Sequence, residues 1–193
     1  MLKTITKNIM DHLPENLHLT EEEIASLKGN TDFFLAIAEG LIKSFYDTLY
    51  SNEFARSIFK EGERPVREAS FKDWVVKTLS GNFDNDYWYW QAYVGILHIK
   101  RQVPNHLMIF MMGMVNDYVL REARKRIKPE ELDTFSSAWI KLTMIVLALI
   151  AESYHYFYLQ AITNVTGIKT QLLDNMVKTD VDKLLKENAK YRL

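Results

Sequence analysis

Two arrangements in this chain could do chemistry. The first is His98, within VGILHIKRQVP at residues 94–104. Wound at about 100° per residue, the helical face that carries it also holds Tyr87, Gln91, Val94, Gly95 and Arg101. A histidine on such a face either hydrogen-bonds and packs, or it ligates a metal. Gly95 sits one turn earlier. A glycine inside a helix costs about 1 kcal/mol relative to alanine, so a close-packing reason is expected, and a bulky planar ligand beside His98 would supply one. The second arrangement is Glu-x-x-His, at Glu152/His155 and again at Glu15/His18. That spacing places two ligands on one helix face, as in di-iron carboxylate bundles. Such a site needs both copies inside core helices, and the Glu15 copy lies beside Pro14, ahead of the helix start at Thr20.

Other chemistries find no support. There is no cysteine, which removes disulfides, thiolate metal sites, a thiol nucleophile and covalent haem attachment, and which is compatible with a reducing cytoplasm. Gly-x-Ser-x-Gly and Gly-rich phosphate loops are absent from the sequence. Lys plus Arg is 24 against 25 Asp plus Glu, a balance that offers nothing to a nucleic-acid backbone. The basic run REARKRIK at 121–128 suits the negative end of a helix dipole. The start MLKTITKNIM lacks an apolar stretch and a cleavage site. The apolar run LTMIVLALIA at 142–151 is too short to span a bilayer and leads into Glu152. The expectation is a soluble, cytoplasmic protein with no catalytic output of its own.

The elements that must position His98 are helices. With 7 Gly and 4 Pro in 193 residues, long helices run with few breaks. Thr20 with Glu23 forms a capping box, and Gly29-Asn30 ends that helix. Phe33, Phe34, Ile37, Leu41, Ile42, Phe45 and Leu49 recur at a helical period. A more polar region follows at 51–65. Pro65 opens a helix carrying Phe71, Trp74, Val75 and Leu79 that stops at Gly81-Asn82. Asp84 or Asp86 caps the helix that bears His98, Pro104 opens the next, and Pro129 opens a long one through about residue 163. Six to eight helices of unequal length imply an irregular all-α domain. The supply of 10 Tyr, 10 Phe, 4 Trp and 8 Met fills a core and leaves aromatic surface for a large flat ligand. Beyond Gly167, the residues Ile168, Leu172, Leu173, Met176, Val177, Val181, Leu184 and Leu185 form an apolar stripe. It reads either as a helix leaving the domain, in coiled-coil fashion, or as one folding back on the core. The expected division is an N-terminal arm at 1–19, the main domain at 20–163, and a linker or signalling helix at 164–193.

The order of these motifs resembles the globin-coupled sensors and protoglobins. His98 followed six residues on by Pro104 is similar to that family's haem-ligand region. IKSFYDTLY resembles its distal helix, and FKDWVVKTLSGNFDNDYW its distal wall. The similarity covers roughly residues 30–160. Many relatives carry Trp-Tyr after the proline, where this chain has His106 and Leu107, so the proximal hydrogen bond that relatives draw from that tyrosine is in question here, and His106 either replaces it or faces solvent.

The resemblance implies a globin-like fold and a non-covalent haem b whose iron is ligated by His98. It implies Tyr46 as a distal donor to bound O₂, with Ser70 a second distal hydroxyl. Such a charge-assisted bond is worth about 1.5–3 kcal/mol. Otherwise Tyr46 is an ordinary core tyrosine. Phe45, Phe71, Trp74, Val94 and Gly95 are expected on the pocket wall, though aromatics at helical spacing equally build plain core. The family pairs through its last two long helices, which implies a homodimer through residues 104–160. A gas sensor for O₂, with CO and NO as further ligands, is the implied function. The alternatives are the di-iron protein and a cofactor-free regulatory module. Storage, scavenging and nitric-oxide dioxygenation stay open beside sensing. Either the chain is a stand-alone sensor globin, with any output in a separate partner, or it is the input part of a longer protein whose output domain follows residue 193.

Overall fold

The computed structural model describes residues 1–79 and 82–191, with the side chains of Leu79 and Tyr191 excepted. Gly81, half of the expected Gly81-Asn82 stop, lies outside the described residues. Among those described there are helices and no strand. The chain divides into two compact units, Met1–Tyr154 and the remainder from His155.

The first unit follows its local signals closely. Helix α1 spans Leu2–Asp11, a helix not anticipated within the N-terminal arm. It buries Ile5 and Thr6 and packs on the helix bearing His98. Helix α2, Glu21–Gly29, starts at a formed capping box: Thr20 Oγ1 accepts from Glu23 N, and Glu23 Oε2 accepts from Thr20 N. Helix α3, Thr31–Ser51, buries Phe34, Ile37, Leu41, Ile42, Tyr46 and Leu49. The polar region holds a short α4, Glu53–Ser57, capped by Asn52. Helix α5, Arg64–Leu79, takes Pro65 in its first turn, where a missing N–H costs nothing. Of the two candidate caps for α6, Asn85–Lys100, Asp84 does the capping by accepting from Tyr87 N. Helix α7 spans Asn105–Arg126 after Pro104, and α8 runs Pro129–Thr166. By length and composition alone α8 could cross a membrane, but half of its most apolar window is buried inside the fold. It is the core helix.

Helix α3 packs on both α5 and α7. The core gathers Phe34, Tyr87, Val119, Phe135, Trp139, Leu142 and Val146. Glu23 is nearly buried and holds α2 to α8. It takes hydrogen bonds from Ser137 Oγ at 2.9 Å and from Lys141 Nζ at 3.1 Å.

The second unit contains the last turns of α8, a break at Gly167 with φ +71°, and α9, Thr170–Glu187. The break is the one the sequence marked. None of the residues of α9 is buried, and Leu172, Met176, Val177, Val181, Leu184 and Leu185 are exposed.

Candidate cofactor site

The corner after α6 fixes where His98 stands. Gln102 adopts φ +56°, the left-handed conformation. Its N–H donates to Ile99 O at 2.9 Å, and Val103 N–H donates to His98 O at 3.0 Å. These two bonds form a Schellman cap, with Gln102 in the place glycine usually takes. The helix therefore ends one turn after the histidine, and Pro104 starts α7 immediately.

Within α6, His98 Nδ1 lies 2.8 Å from Val94 O. A carbonyl oxygen only accepts, so Nδ1 carries the proton and Nε2 is left with its lone pair. No hydrogen bond to Nε2 occurs among the described residues. Burial depresses the imidazole's basicity, the Val94 carbonyl opposes this, and the Arg101 guanidinium adds to it; the net shift is downward. His98 is thus a neutral imidazole at pH 7, with a ligating nitrogen free and its tautomer set by the backbone.

That imidazole lines a cavity of about 500 Å³. The size is within the range of cofactor pockets. Tyr46 and Phe45 from α3, Phe71 and Trp74 from α5, and Val94 from α6 line it too. Phe45 and Phe71 have ring centroids 4.4 Å apart, and Phe71 stacks on Trp74 at 5.6 Å and 22°. The result is a continuous aromatic wall. Trp74 is held by donating from Nε1 to Gln91 Oε1 at 3.1 Å, on a glutamine with no exposed surface.

Tyr46 is buried, and burial pushes its phenol far above the ordinary value, so it keeps its proton. The hydroxyl donates to Arg67 O at 2.8 Å. Ser70 also lines the cavity, but it is exposed and its hydroxyl donates back to Val66 O at 3.0 Å.

Gly95 departs from expectation. It is not among the cavity-lining residues. A Cβ there would lie 2.2 Å from Ser153 Oγ and 2.5 Å from Ile150 O. The close-packing reason is helix α8 and not a planar ligand. His106 also faces elsewhere: it is exposed, and its ring lies against Phe54 at 6.1 Å. Leu107 lines the cavity in its place. The di-iron arrangement is not assembled. Glu152, His155, Glu15 and His18 are all exposed, and no group of three metal-ligating side chains occurs among the described residues.

The sequence reading missed the polar edge of the cavity. Arg67 and Arg101 both line it, and both bind Glu63. Arg101 had been placed on the face of His98, but nothing local signalled a carboxylate 38 positions away. Met108, Met111 and Met112 line the cavity as adaptable filler.

This all-α fold, with one half-buried histidine lining an aromatic cavity, is globin-like. The sequence matches the protoglobin family over residues 6–158. The chain belongs to the protoglobin family. Among solved structures, the globin domain of a globin-coupled sensor from Geobacter sulfurreducens superposes with a TM-score of 0.69 at 23% identity. The match spans 77% of this chain and 96% of that one. The ferric globin domain of DosC from E. coli gives a TM-score of 0.58 at 13% identity, over 78% of this chain and 98% of that one. At these identities the likeness is one of fold. No curated protein matches the chain.

The residues present fit a haem. The cavity is aromatic and apolar over most of its wall, its one imidazole has no hydrogen bond on Nε2 among the described residues, and Arg67, Arg101 and Asp73 supply its charged lining.

Proposed function

We propose that this protoglobin binds haem b through His98 and acts as a gas sensor for O₂, with CO and NO as further ligands. The observation that carries the reading is the His98 imidazole, neutral and oriented by Val94 O, with Nε2 left over in a cavity it shares with Tyr46. Haem, when bound, supplies an iron that takes up a diatomic gas reversibly. The rest is the work of the chain. Phe45, Phe71, Trp74 and Val94 line the cavity and would keep water away from the bound group. Tyr46 Oη holds the distal proton. To donate into the cavity it must leave Arg67 O, so the net gain is the charge-assisted bond of about 1.5–3 kcal/mol less a neutral one of about 0.5–1.5. About 1 kcal/mol remains, roughly fivefold.

We assign the homodimer to residues 104–160. Exposed apolar side chains of α7 (Ile109, Phe110) and α8 (Ile140, Met144) support it. In this reading residues 164–193 carry the signal to a linked or separate output domain, and the protein works in the cytoplasm. Signalling requires the gas to favour one packing of the dimer over another.

The test is the visible absorption spectrum of the haem-reconstituted chain beside His98→Ala, in ferrous, oxygenated and carbonyl forms. A stoichiometric Soret band in the wild type, lost or strongly altered in the variant, is the expected result. An unchanged spectrum in the variant, or no haem uptake by the wild type, would make His98 a packing residue. Tyr46→Phe should then speed O₂ release about fivefold and leave CO release nearly unaltered, since CO develops little negative charge for the phenol to meet.

A further inference from the structure

Glu63 stands just before α5 and is nearly buried at its carboxylate, with a side-chain exposure of 11%. Four donors converge on it. Oε1 accepts from Arg67 Nε at 2.7 Å and from Arg101 Nη1 at 2.6 Å. Oε2 accepts from Lys60 N at 3.0 Å and from Arg101 Nη2 at 2.8 Å. The two Arg101 contacts make a bidentate pair, the geometry that fixes orientation as well as distance.

Each end of this arrangement leads to one of the two site residues. Arg67 is the residue whose carbonyl accepts from Tyr46 Oη. Arg101 caps α6 three residues after His98, with its N–H on Leu97 O at 3.2 Å. A path of hydrogen bonds thus runs from the distal phenol through Arg67, Glu63 and Arg101 to the end of the helix that carries the imidazole.

Arg67 and Arg101 are about a third and a quarter exposed, but the bidentate, networked geometry around a nearly buried carboxylate is the kind of ion cluster that does contribute to stability. What the cluster does is hold the first turn of α5, which would otherwise fray, against the end of α6. The carbonyl that occupies the Tyr46 proton lies in that turn.

We propose that Glu63 is a positioning residue that keeps the Arg67 carbonyl in competition for the Tyr46 proton, and so sets how freely that phenol donates into the cavity. Displacement of the end of α6 then changes Tyr46 through Arg101 and Glu63. The gas-release consequence rests on the haem reading above; the coupling itself does not.

The experiment therefore has two arms. In the first, the full chain as purified is unfolded in urea as wild type, Glu63→Gln, Tyr46→Phe and the double variant, followed by far-ultraviolet circular dichroism. Separated residues without shared partners combine additively, to within about twofold in the unfolding equilibrium. Coupling above about threefold is expected here. Glu122→Gln is the control, since Glu122 also binds two cations, Lys125 and Arg126, but shares no partner with Tyr46. Additivity of Glu63 and Tyr46 overturns the proposal whether or not haem is taken up. In the second arm, Glu63→Gln in the haem-loaded chain slows O₂ release by about twofold to tenfold, the worth of the neutral bond it loosens. Arg101→Lys, which keeps the charge and loses the bidentate geometry, gives a smaller change in the same direction. Both effects vanish in the Tyr46→Phe background. Equal effects with and without the Tyr46 hydroxyl would also overturn it.

Discussion

Gly95→Ala is the sharpest test of how α6 is seated. The methyl would be placed 2.2 Å from Ser153 Oγ and 2.5 Å from Ile150 O, where ordinary contact begins at 3.4 Å. The serine cannot simply swing away. Its hydroxyl has no exposed surface and donates to Ala92 O at 2.7 Å, with Ile150 O a second acceptor at 3.1 Å. The Ile150 oxygen belongs to the backbone of α8 and cannot move alone. Relief therefore requires α6 and α8 to separate by about 1 Å. Overpacking of this kind costs about 1–3 kcal/mol. A buried hydroxyl deprived of its acceptor adds about 1–3. The better helix propensity of alanine returns about 1. The expected net loss is about 1–5 kcal/mol, read as a lower urea midpoint at unchanged slope. Ser153→Ala in the same chain should rescue part of this and no more, because it removes the 2.2 Å contact and leaves the 2.5 Å one. Gly113→Ala supplies the contrast: nothing lies within 4 Å of a Cβ there, so the propensity gain of about 1 kcal/mol should appear alone. If Gly95→Ala behaves like Gly113→Ala, the close α6–α8 contact is wrong, and with it the account of why the His98 helix carries a glycine.

Two further outcomes follow from single features of the same unit. Gln102→Gly should stabilise by about 0.5–1 kcal/mol in thermal or urea unfolding, because a non-glycine residue at φ +56° bears a left-handed cost of about 1–2 kcal/mol that glycine avoids, offset by the freer unfolded chain; a loss of stability would mean that the Gln102 side chain holds the corner. Acid unfolding should be steep below the ordinary glutamate range. Hydrogen bonds from Arg101, then the Lys60 N–H, bring Glu63 down to about 2. At Glu23, burial pushes upward but the hydrogen bonds of Thr20, Lys141 and Ser137 together outweigh it. Both carboxyls are lowered on folding, so their stabilisation is present above the ordinary glutamate value and is lost as pH falls through the folded-state value, which for Glu63 is about 2. Glu63→Gln should flatten the melting temperature against pH across that window, and a profile identical to wild type would rule the ion cluster out as its source.

What the sequence revealed about this molecule was what is encoded locally. Thr20 with Glu23, Asp84, Pro104 and Pro129 each set a helix boundary through groups within three or four residues, and the fold keeps all of them. His98 and Tyr46 were legible as candidates because an imidazole and a phenol are marked by residue type, and the fold brings both to one cavity. The contact partners were not. Gly95 announced a close approach, but a sequence cannot say whether a helix or a ligand makes it, since both demand the same missing methyl. The Glu63 cluster left no mark at all: a glutamate in a polar corner looks like any solvated charge until α5 and α6 are folded past one another. Helix α1 was hidden for a related reason, since it packs on α6, an element far along the chain. In this protein the groups that would hold a cofactor are written in residue type, while those that decide how tightly its surroundings are held are written in tertiary contacts. The Tyr46 hydroxyl shows the consequence. Judged by residue type it is a donor waiting for a ligand; in the folded chain it already has an acceptor, and any distal ligand must displace Arg67 O to be met.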